Sequence, residues 1–487
     1  MDMTWDVVSI VKAGQFLGAG ISIGFGAIGA AVGEGLVGGF ANCSIGRRIG
    51  MASPYTRTML IGQAVAETSG IFALMVSVLL IFGDFSANGV CAWTATLSAG
   101  ICMGLGALGS GVGAGYPALE ALWGSARQPA LGGQMTTTML IGQAVCQTPA
   151  IFALVISFML MFKNCTGLAV WPYGAALLGA GLAMGFGAIG SGWGGGMAGG
   201  AACAGAARQP RLRSSLTTLM LVGQAVSQTP AIFALLVAIM LITIGPKEGT
   251  LINSAAMLGA GISIGFGAIG SGWGNGVNAE GACTAVSRES AATKDMLTFM
   301  LVGQAVGQTP VIFALVVSLM LLFIGFQIPA TLVGFCALLA AGIAMGLAAI
   351  GSGYGNGDTA SSACKAIAIC PEEKAGIMTL MLVGQAVGQT PAIFGLLVAF
   401  ILMFGNYTGP ATLPAAMALL AAGISMGFGG IGPGVGNGIT AAAACEAAGE
   451  RPDQRGLLMR TMLVAQAVAQ STAIYALVIA FVLIFVV

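Results

Sequence analysis

One eight-residue stretch occurs six times along this chain, and its spacing constrains the fold more than any other feature. It reads GQAVAETS at residues 62–69. Nearly the same letters return at residues 142–149, 223–230, 303–310, 384–391 and 465–472. The period of 80 or 81 residues indicates a tandem array of one structural unit rather than a single large domain.

Apolar side chains dominate the composition, which excludes an ordinary water-soluble domain. Hydrophobic residues make up 57% of the 487-residue chain and charged residues only 7%, with a mean hydropathy of +0.96. So few charges cannot cover so much apolar surface in water, so the solvent of this chain is the lipid bilayer. The formal net charge of +1 gives no reason to expect a nucleic-acid partner.

Each repeat contains two apolar segments that are long enough to cross a membrane. In the first repeat they cover roughly residues 12–44 and 56–83, and at a rise of about 1.5 Å per residue each helix exceeds about 40 Å. The hydrocarbon core is about 30 Å thick, so each repeat is predicted to be a spanning helical hairpin. The predicted fold is therefore an all-α membrane protein of six tandem transmembrane hairpins, or twelve helices. The hairpins are expected at residues 1–90, 91–170, 171–249, 250–330, 331–411 and 412–487.

The two segments of a hairpin differ in composition, and the difference predicts two layers. The first segment carries closely spaced glycines, as in GFGAIGAAVGEG at residues 24–35. Glycine costs about 1 kcal/mol relative to alanine in a water-exposed helix, but in a membrane it lets helix backbones approach closely. We therefore expect the first helices to form a tight inner layer and the bulkier second helices to form an outer layer that faces lipid.

Basic residues predict the orientation in the membrane. Of the 17 Lys and Arg residues, 14 lie in or beside the six loops that join the first segment of a hairpin to the second. The positive-inside rule then places these loops in the cytoplasm and both termini outside.

Glu67 is the acid of the repeated stretch, and glutamine takes its place in the other five copies. We call this position the acid column; its members are Glu67, Gln147, Gln228, Gln308, Gln389 and Gln470. An ionised carboxylate deep in an apolar helix costs at least about 2.5 kcal/mol, so Glu67 is expected to be protonated or paired with a cation. The alternative is a helix-end acid that reaches water, which the long apolar flanks of Glu67 disfavour.

A second acid, Glu34, lies in the glycine-rich segment, and its distance from the hairpin turn near Ser53–Pro54 is comparable with that of Glu67. Two acids at related depths would share a proton or bind a cation, because both cannot be bare anions in a low dielectric. The alternative is a lone neutral acid packed among glycines. We call this position the ladder column; its members are Glu34, Ala114, Gly195, Asn275, Asn356 and Asn437. Where Asn and Gln coincide, we expect them to hydrogen-bond to each other as polar glue between helices.

Oxygen ligands beside Glu67 favour a hard cation such as Na⁺. Thr68 supplies a hydroxyl, and Val65, two residues before the acid, supplies a carbonyl. Proline follows the glutamine by two residues in repeats two to five, where it frees a carbonyl one turn back and kinks the helix. This kink is either part of the function or merely tolerated.

The glycine-rich helix, the basic loop with Arg127-Gln128-Pro129 or Arg208-Gln209-Pro210, and the run MLIGQAVAETSGIFAL together resemble the rotor proteolipid, or c subunit, of F-type ATP synthases. The resemblance covers essentially the whole chain, six times over, and the fusion of hairpins is similar to that in proteolipids of V-type ATPases. It implies a non-catalytic chain that forms all or part of a two-layered rotor ring in a prokaryotic plasma membrane. The implied partners are other copies of the chain or single-hairpin c subunits, a stator a subunit with an Arg, central-stalk subunits at the cytoplasmic loops, and lipid. No cofactor is expected beyond the transported Na⁺ or H⁺.

The resemblance also assigns the ion site. In sodium-translocating members a helix-one Gln, the acid, the following Ser or Thr, and the carbonyl two residues before the acid bind the ion. Glu34, Glu67, Thr68 and Val65 match these positions and are the predicted ligands, with Na⁺ favoured over H⁺.

The chain departs from the family pattern in three ways. It contains six fused hairpins, five of which lack the acid. Sodium-translocating members tend to have a Tyr five residues after the acid, where this chain has Phe72; only repeat six has a tyrosine there, Tyr475. A degenerate structural or pore-forming ring is therefore the alternative function.

Ring size bears on the expected direction of ion movement. Six inner helices at a spacing of about 8–10 Å would leave almost no central space, so one chain is not expected to close a ring alone. Two chains would close a ring of twelve hairpins that carries two Glu67 sites, and so few sites favour ATP-driven pumping over synthesis.

Overall fold

The computed structural model describes residues 6–168, 170–245, 250–324, 326, 328, 330–407 and 412–485. All regular secondary structure in these ranges is helical. The α-helices are α1 (Val7–Arg47), α2 (Ala52–Phe82), α3 (Ala92–Arg127), α4 (Gly132–Cys146), α5 (Thr148–Met161), α6 (Val170–Arg208), α7 (Arg213–Thr243), α8 (Leu251–Arg288), α9 (Thr293–Gly307), α10 (Thr309–Phe323), α11 (Leu332–Ile369), α12 (Lys374–Gly388), α13 (Thr390–Phe404), α14 (Leu413–Glu450) and α15 (Arg455–Phe485).

These helices form six hairpins, numbered 1 to 6 in chain order. Within the described residues, twelve spans are long and apolar enough to cross a membrane, which confirms the predicted architecture. A single short 3₁₀ turn joins the two arms of each hairpin, as at Ile49–Met51 and Pro129–Leu131. The sequence predicted the first hairpin turn near Ser53–Pro54. In the structure this turn lies a few residues earlier, because α2 already begins at Ala52.

The first arms of the hairpins form one layer. Each of α1, α3, α6, α8 and α11 packs along the first arm of the next hairpin. Glycine makes this approach possible: a Cβ added to Gly276 of α8 would lie less than 3.0 Å from the backbone of α6. Between 72% and 83% of the most apolar window is buried in α3, α6, α8 and α11, against 39% to 50% in the second arms of the same hairpins. The predicted inner and outer layers are confirmed.

Proline interrupts most of the second arms in the interior of the array. The arms of hairpins 2, 4 and 5 break at Gln147, Gln308 and Gln389, each two residues before a proline. In hairpin 3, α7 continues through Pro230 without a break. Proline lacks the backbone N–H that would bond the carbonyl four residues earlier. This missing hydrogen bond accounts for the breaks in the three helices.

The two ends of the array do not meet. Among the described residues, α1 and α14 share no interface like those between consecutive first arms. Only 39% of the most apolar window of α1 is buried, and 44% of that of α14. Hairpins 1 and 6 therefore each leave one face uncovered.

Candidate functional site

Glu67 occupies the midpoint of the 31-residue helix α2, where the hydrocarbon core is expected to be deepest. Its side chain is exposed and opens into a surface pocket of about 250 Å³ between α1 and α2. The other walls of the pocket are largely apolar, with Ile23, Ile71 and Leu74 among them. The carboxylate therefore opens onto a largely apolar surface.

Glu34 lines the same pocket from α1 and is half-buried. Its backbone carbonyl accepts a hydrogen bond from the amide nitrogen of Gln63 at 3.1 Å, which ties α1 to α2 beside the site. The structure thus brings together the two acids that the sequence placed at related depths. Because two carboxylates in one apolar pocket cannot both stay ionised alone, the pocket favours a shared proton or a bound cation.

Thr68 and Val65 are arranged differently from each other. The Thr68 hydroxyl donates to the Ala64 carbonyl at 3.2 Å, which leaves its oxygen lone pairs available as acceptors or ligands. The Val65 carbonyl accepts a hydrogen bond at 2.9 Å from the amide nitrogen of Gln147, which belongs to hairpin 2. The Val65 carbonyl therefore contacts the next hairpin. The role of Glu34, Glu67, Thr68 and Val65 as ion ligands stays a prediction.

The glutamines of the acid column reproduce this contact along the array. In hairpins 2 to 5 the side-chain amide nitrogen donates to the carbonyl of the valine that stands two residues before the acid column in the preceding hairpin. The amide nitrogen of Gln470 in hairpin 6 has no partner among the described residues. The pairs are Gln147 with Val65 (2.9 Å), Gln228 with Val145 (2.5 Å), Gln308 with Val226 (3.1 Å) and Gln389 with Val306 (3.1 Å). An amide N–H, the positive end of a dipole, thus occupies the position between two hairpins where a carboxylate would need a cation.

The prolines explain why the carbonyls of Val145, Val226 and Val306 need a donor from elsewhere, whereas Val65 is followed by Ser69, which keeps its backbone N–H. Pro149 cannot donate to the carbonyl four residues earlier, which is that of Val145, and Gln228 bonds this carbonyl instead. Pro230 stands in the same relation to Val226, and Pro310 to Val306. In each case the next hairpin satisfies the carbonyl that proline leaves free. The four-residue separation between each valine and its proline indicates a free carbonyl. No feature of the sequence indicated which hairpin supplies the donor.

The asparagines of the ladder column behave as expected in one hairpin only. In hairpin 6 the Asn437 amide nitrogen donates to the Gln470 side-chain oxygen at 2.8 Å, which confirms the predicted pair. In hairpins 4 and 5 the prediction was wrong. Neither amide atom of Asn275 or Asn356 has a hydrogen-bond partner in the described residues. The reason is that Gln308 and Gln389 donate their amides to the preceding hairpin.

A second set of glutamines, four residues before the acid column, was missed by the sequence reasoning. In hairpin 2 the Gln143 amide nitrogen donates to the carbonyl of Ala114 in its own hairpin (2.8 Å) and to that of Gly62 in hairpin 1 (2.9 Å). Gln224, Gln304, Gln385 and Gln466 make the same pair of bonds in hairpins 3 to 6. Their recurrence in every repeat was the available signal. These glutamines connect three helices at the depth of the site.

Comparison with known proteins agrees with the hairpin architecture. A family model for the C subunit of ATP synthase matches residues 17–80, 97–160, 178–241, 258–321, 339–402 and 420–483, one match in each hairpin. The chain is 46% identical over 65 residues to the ATP synthase c subunit of Thermotoga petrophila, which covers 13% of this chain and 76% of that protein. It is 46% identical over 79 residues to the ATP synthase c subunit of Natranaerobius thermophilus, covering 16% of this chain and 91% of that protein.

A longer match involves a relative of several hairpins' length. The chain is 33% identical over 226 residues to the K subunit of the A-type ATP synthase of Methanocaldococcus jannaschii, which covers 46% of this chain and 94% of that protein. The family matches together extend over far more than half of the 487 residues. Six hairpins, each with the same two-layered packing and each matched separately, show that the chain belongs to the family of ATP synthase C subunits.

Proposed function

We propose that this chain is a rotor-ring subunit of a rotary ion-translocating ATPase and that it carries a cation across the membrane on Glu67. One observation carries the proposal. Glu67 is the single acid in six copies of the acid column, and it is exposed at mid-helix beside a second acid. Where hairpins 2 to 5 carry glutamine at this position, the amide nitrogen already donates a hydrogen bond to the preceding hairpin.

The physical reason for ion carriage is the cost of a bare charge in lipid. Ionised Glu67 at the bilayer centre would cost at least about 2.5 kcal/mol, so the site enters lipid only after a cation neutralises it. The cation enters and leaves through a stator subunit, whose arginine displaces it from Glu67. The basic loops between the hairpin arms are the surface for the central stalk, on the cytoplasmic side.

Na⁺ is the proposed cation. A hard cation requires several oxygen ligands, and Thr68 offers a hydroxyl oxygen next to the acid while Glu34, in its protonated and neutral form, offers a further carboxyl oxygen in the same pocket. A site for H⁺ alone needs only one protonated carboxyl group. The second carboxyl group therefore favours Na⁺.

ATP-driven pumping is the proposed direction if the ring contains two copies of this chain. Two charges crossing about 200 mV release about 9 kcal/mol per turn. Divided over the three catalytic events per turn that membership of a rotary ATPase implies, this is about 3 kcal/mol each. That amount is too small to drive ATP synthesis, whereas hydrolysis has ample energy to move two ions.

Carbodiimide labelling tests the ion-carrying role. A hydrophobic carbodiimide reacts with protonated carboxyl groups in lipid, so it should label Glu67 fast and Glu34, which is half-buried, slowly. Millimolar NaCl at constant pH should slow the labelling of Glu67, and an equal concentration of KCl should not. Equal effects of the two salts would contradict the sodium assignment, and label found chiefly on Glu34 would contradict the choice of Glu67.

A structural or pore-forming ring is the second candidate, and it is favoured by one observation. At four of the five glutamine positions the amide nitrogen donates a hydrogen bond to the preceding hairpin. Most of the array is therefore held together by contacts that leave no site for an ion. Under this alternative, replacing Glu67 by glutamine would leave ATP-driven cation uptake by the reconstituted complex unchanged.

A further inference from the structure

Basic side chains at the start of the second arms connect neighbouring hairpins at the loop end of the array, the end that carries the turns between the two arms. We call the first residue of each second arm the arm-start column; its members are Ala52, Gly132, Arg213, Thr293, Lys374 and Arg455. Its three basic members each contact a polar group of the preceding hairpin. The pairs are Arg213 Nε with Thr138 Oγ1 (3.1 Å), Lys374 Nζ with Asp295 Oδ2 (2.6 Å) and Arg455 Nη1 with Glu373 Oε2 (2.6 Å). These contacts bridge the junctions of hairpins 2 with 3, 4 with 5, and 5 with 6.

The junction of hairpins 1 and 2 has no such bridge, because its arm-start residue is Gly132. A pocket of about 550 Å³ lies there, and we call it the open gap. Residues of the two second arms, α2 and α4, form its sides, and Ser125 of α3 also lines it. The comparable pocket between hairpins 3 and 4 measures about 230 Å³, and that between hairpins 5 and 6 measures about 420 Å³. The open gap is the largest of these three, and the glycine at its edge supplies no side chain to fill it.

Arg57 lines the open gap from α2, and its side chain is exposed. The equivalent residue is threonine in hairpins 2 to 5, at Thr137, Thr218, Thr298 and Thr379. Relative to the bridged junctions, the positive charge has therefore moved from the following hairpin to the preceding one. Within the described residues the Arg57 guanidinium forms no ion pair, and no acidic side chain lines the gap. The charge in this gap has no counter-charge from the protein.

The pocket between hairpins 5 and 6 contains an arginine whose charge is balanced. Arg455 lines that pocket, and Glu373 of the preceding hairpin neutralises its guanidinium at 2.6 Å. In the open gap, two hydroxyl groups line the wall together with Arg57, those of Ser53 and Thr58. A guanidinium with neighbouring hydroxyl groups is suited to the oxygen atoms of a phosphate or carboxylate. The group that the open gap lacks is therefore an anion.

Helix length places Arg57 at the edge of the hydrocarbon core. Arg57 precedes Glu67, the midpoint of α2, by ten residues, which is about 15 Å along the helix axis. The hydrocarbon core is about 30 Å thick, so half of it is also about 15 Å. The guanidinium therefore lies at the level of the phosphate groups of phospholipids. Towards the membrane centre the surface is apolar, with Ile61 in the gap and the exposed Leu60 and Leu140 on the same two helices.

We propose that the open gap binds an anionic phospholipid of the leaflet at the loop end, with the phosphate on Arg57 and an acyl chain along Ile61. A soluble anion would contact the guanidinium but would leave the apolar surface beneath it uncovered. An anionic headgroup is preferred to a zwitterionic one, because no carboxylate lines the gap to receive an ammonium group. The ligand is therefore a phospholipid with a net negative charge.

The bound lipid replaces a contact that other junctions form within the protein. Its phosphate supplies the negative charge that Glu373 supplies to Arg455 and that Asp295 supplies to Lys374. Its acyl chain fills the space between the second arms of hairpins 1 and 2. The open gap is separate from the pocket of Glu67, whose lining it does not share, so the proposal does not depend on which cation Glu67 carries.

Native mass spectrometry of the complete assembly, purified in detergent, tests the identity of the ligand. After endogenous lipid has been removed, dioleoylphosphatidylglycerol should bind to one site per chain at least tenfold more tightly than dioleoylphosphatidylcholine. A large excess of inorganic phosphate should not displace it, because free phosphate makes no apolar contact. Displacement by phosphate would identify a free anion as the ligand, and equal affinity for the two lipids would exclude charge recognition. Either result would overturn the proposal.

Two variants test the site from its opposite walls. Arg57→Gln removes the guanidinium and should weaken the binding of phosphatidylglycerol at least tenfold. Gly132→Asp keeps Arg57 but adds a carboxylate to pair with it, as Glu373 pairs with Arg455, and should weaken binding by a similar factor. A Cβ at Gly132 meets nothing within 4 Å, so this variant should fold like the wild type. The control is Arg211→Gln, which removes an exposed arginine outside the open gap and should leave the affinity unchanged.

The same variants distinguish a lipid from a protein partner. If Arg57 bound a carboxylate of a central-stalk subunit instead, Arg57→Gln would weaken the attachment of the stalk and leave the affinity for phosphatidylglycerol at the wild-type value. That result would overturn the proposal, and so would wild-type lipid affinity in Gly132→Asp. A loss of lipid binding in both variants, with wild-type binding in Arg211→Gln, is the result expected for a phospholipid in the open gap.

Discussion

The acid position of hairpin 1 and the amide positions of hairpins 2 to 5 are equivalent places in the repeat that carry different functional groups. In the interior, the amide nitrogen of glutamine donates to a valine carbonyl of the preceding hairpin. At Glu67 the chain offers an oxygen instead of that nitrogen, and the side chain opens into a pocket with Glu34. An amide satisfies a neighbouring carbonyl by itself, whereas a carboxylate must take a proton or cation from outside. A change of one functional group thus separates a closed contact between helices from a site that can bind a cation.

Proline also distinguishes the interior hairpins from the two end hairpins. Hairpins 2 to 5 have proline two residues after the acid column, while hairpins 1 and 6 have Ser69 and Thr472, which keep a backbone N–H. In hairpins 2 to 4 the freed carbonyl accepts a hydrogen bond from the glutamine amide of the next hairpin. In hairpin 5 the Val387 carbonyl receives no such bond from Gln470. In the two end hairpins, Ser69 and Thr472 keep the backbone N–H that the helix needs.

The largest expected effect comes from making hairpin 1 like the others. Glu67→Gln removes the only acid of the column, so ATP-driven cation uptake by reconstituted vesicles should fall at least a hundredfold, or about 2.7 kcal/mol. The ring should still assemble, because glutamine at this position is compatible with four interior junctions. Residual uptake above a tenth of the wild-type rate would show that the acid position is not the carrier.

The converse change, a carboxylate in place of an interior glutamine, should destabilise the contact between hairpins 2 and 3. Gln228→Glu places a carboxylate against the Val145 carbonyl, and with no cation its ionised form should lower the free energy of unfolding by at least about 2.5 kcal/mol. Protonation removes the repulsion, so the deficit should be absent at low pH and grow as the pH rises. Thermal unfolding in detergent at several pH values measures it. A deficit independent of pH would contradict the electrostatic explanation.

We expect NaCl to restore part of the free energy of unfolding that the Gln228→Glu variant loses. A cation between the carboxylate and the Val145 carbonyl would imitate the amide hydrogen bond that was lost. The same salt should leave the stability of Gln228→Ala unchanged, since that variant has no carboxylate to hold a cation.

The smallest expected effect is that of Gln228→Ala. It breaks one hydrogen bond between hairpins and leaves the Val145 carbonyl unpaired, which should cost about 1 kcal/mol in the free energy of unfolding. Adding Pro149→Ala restores a backbone N–H that can reach Val145, so the double variant should lose less stability than the sum of the two single changes predicts. Strict additivity would show that the proline and the glutamine act independently.

Much of the fold followed from local patterns. The repeat period, the length of the apolar segments and the glycine-rich first arms predicted six hairpins in two layers, and the structure confirms them. These features depend on the composition of single helices, which the order of residues contains directly. The expected Asn–Gln pairs depended instead on the rotation of neighbouring helices, and so they were right at Asn437 and wrong at Asn275 and Asn356.

What the sequence by itself determined is the number of hairpins, their two layers and the one acid among six equivalent positions. Only the tertiary structure decided which hairpin each polar group meets. The register between hairpins directs Gln147 to Val65 and leaves Glu67 exposed on hairpin 1, which no hairpin precedes among the described residues. The physical reason is that a hydrogen bond requires two atoms within about 3 Å of each other, and that distance depends on how whole helices pack.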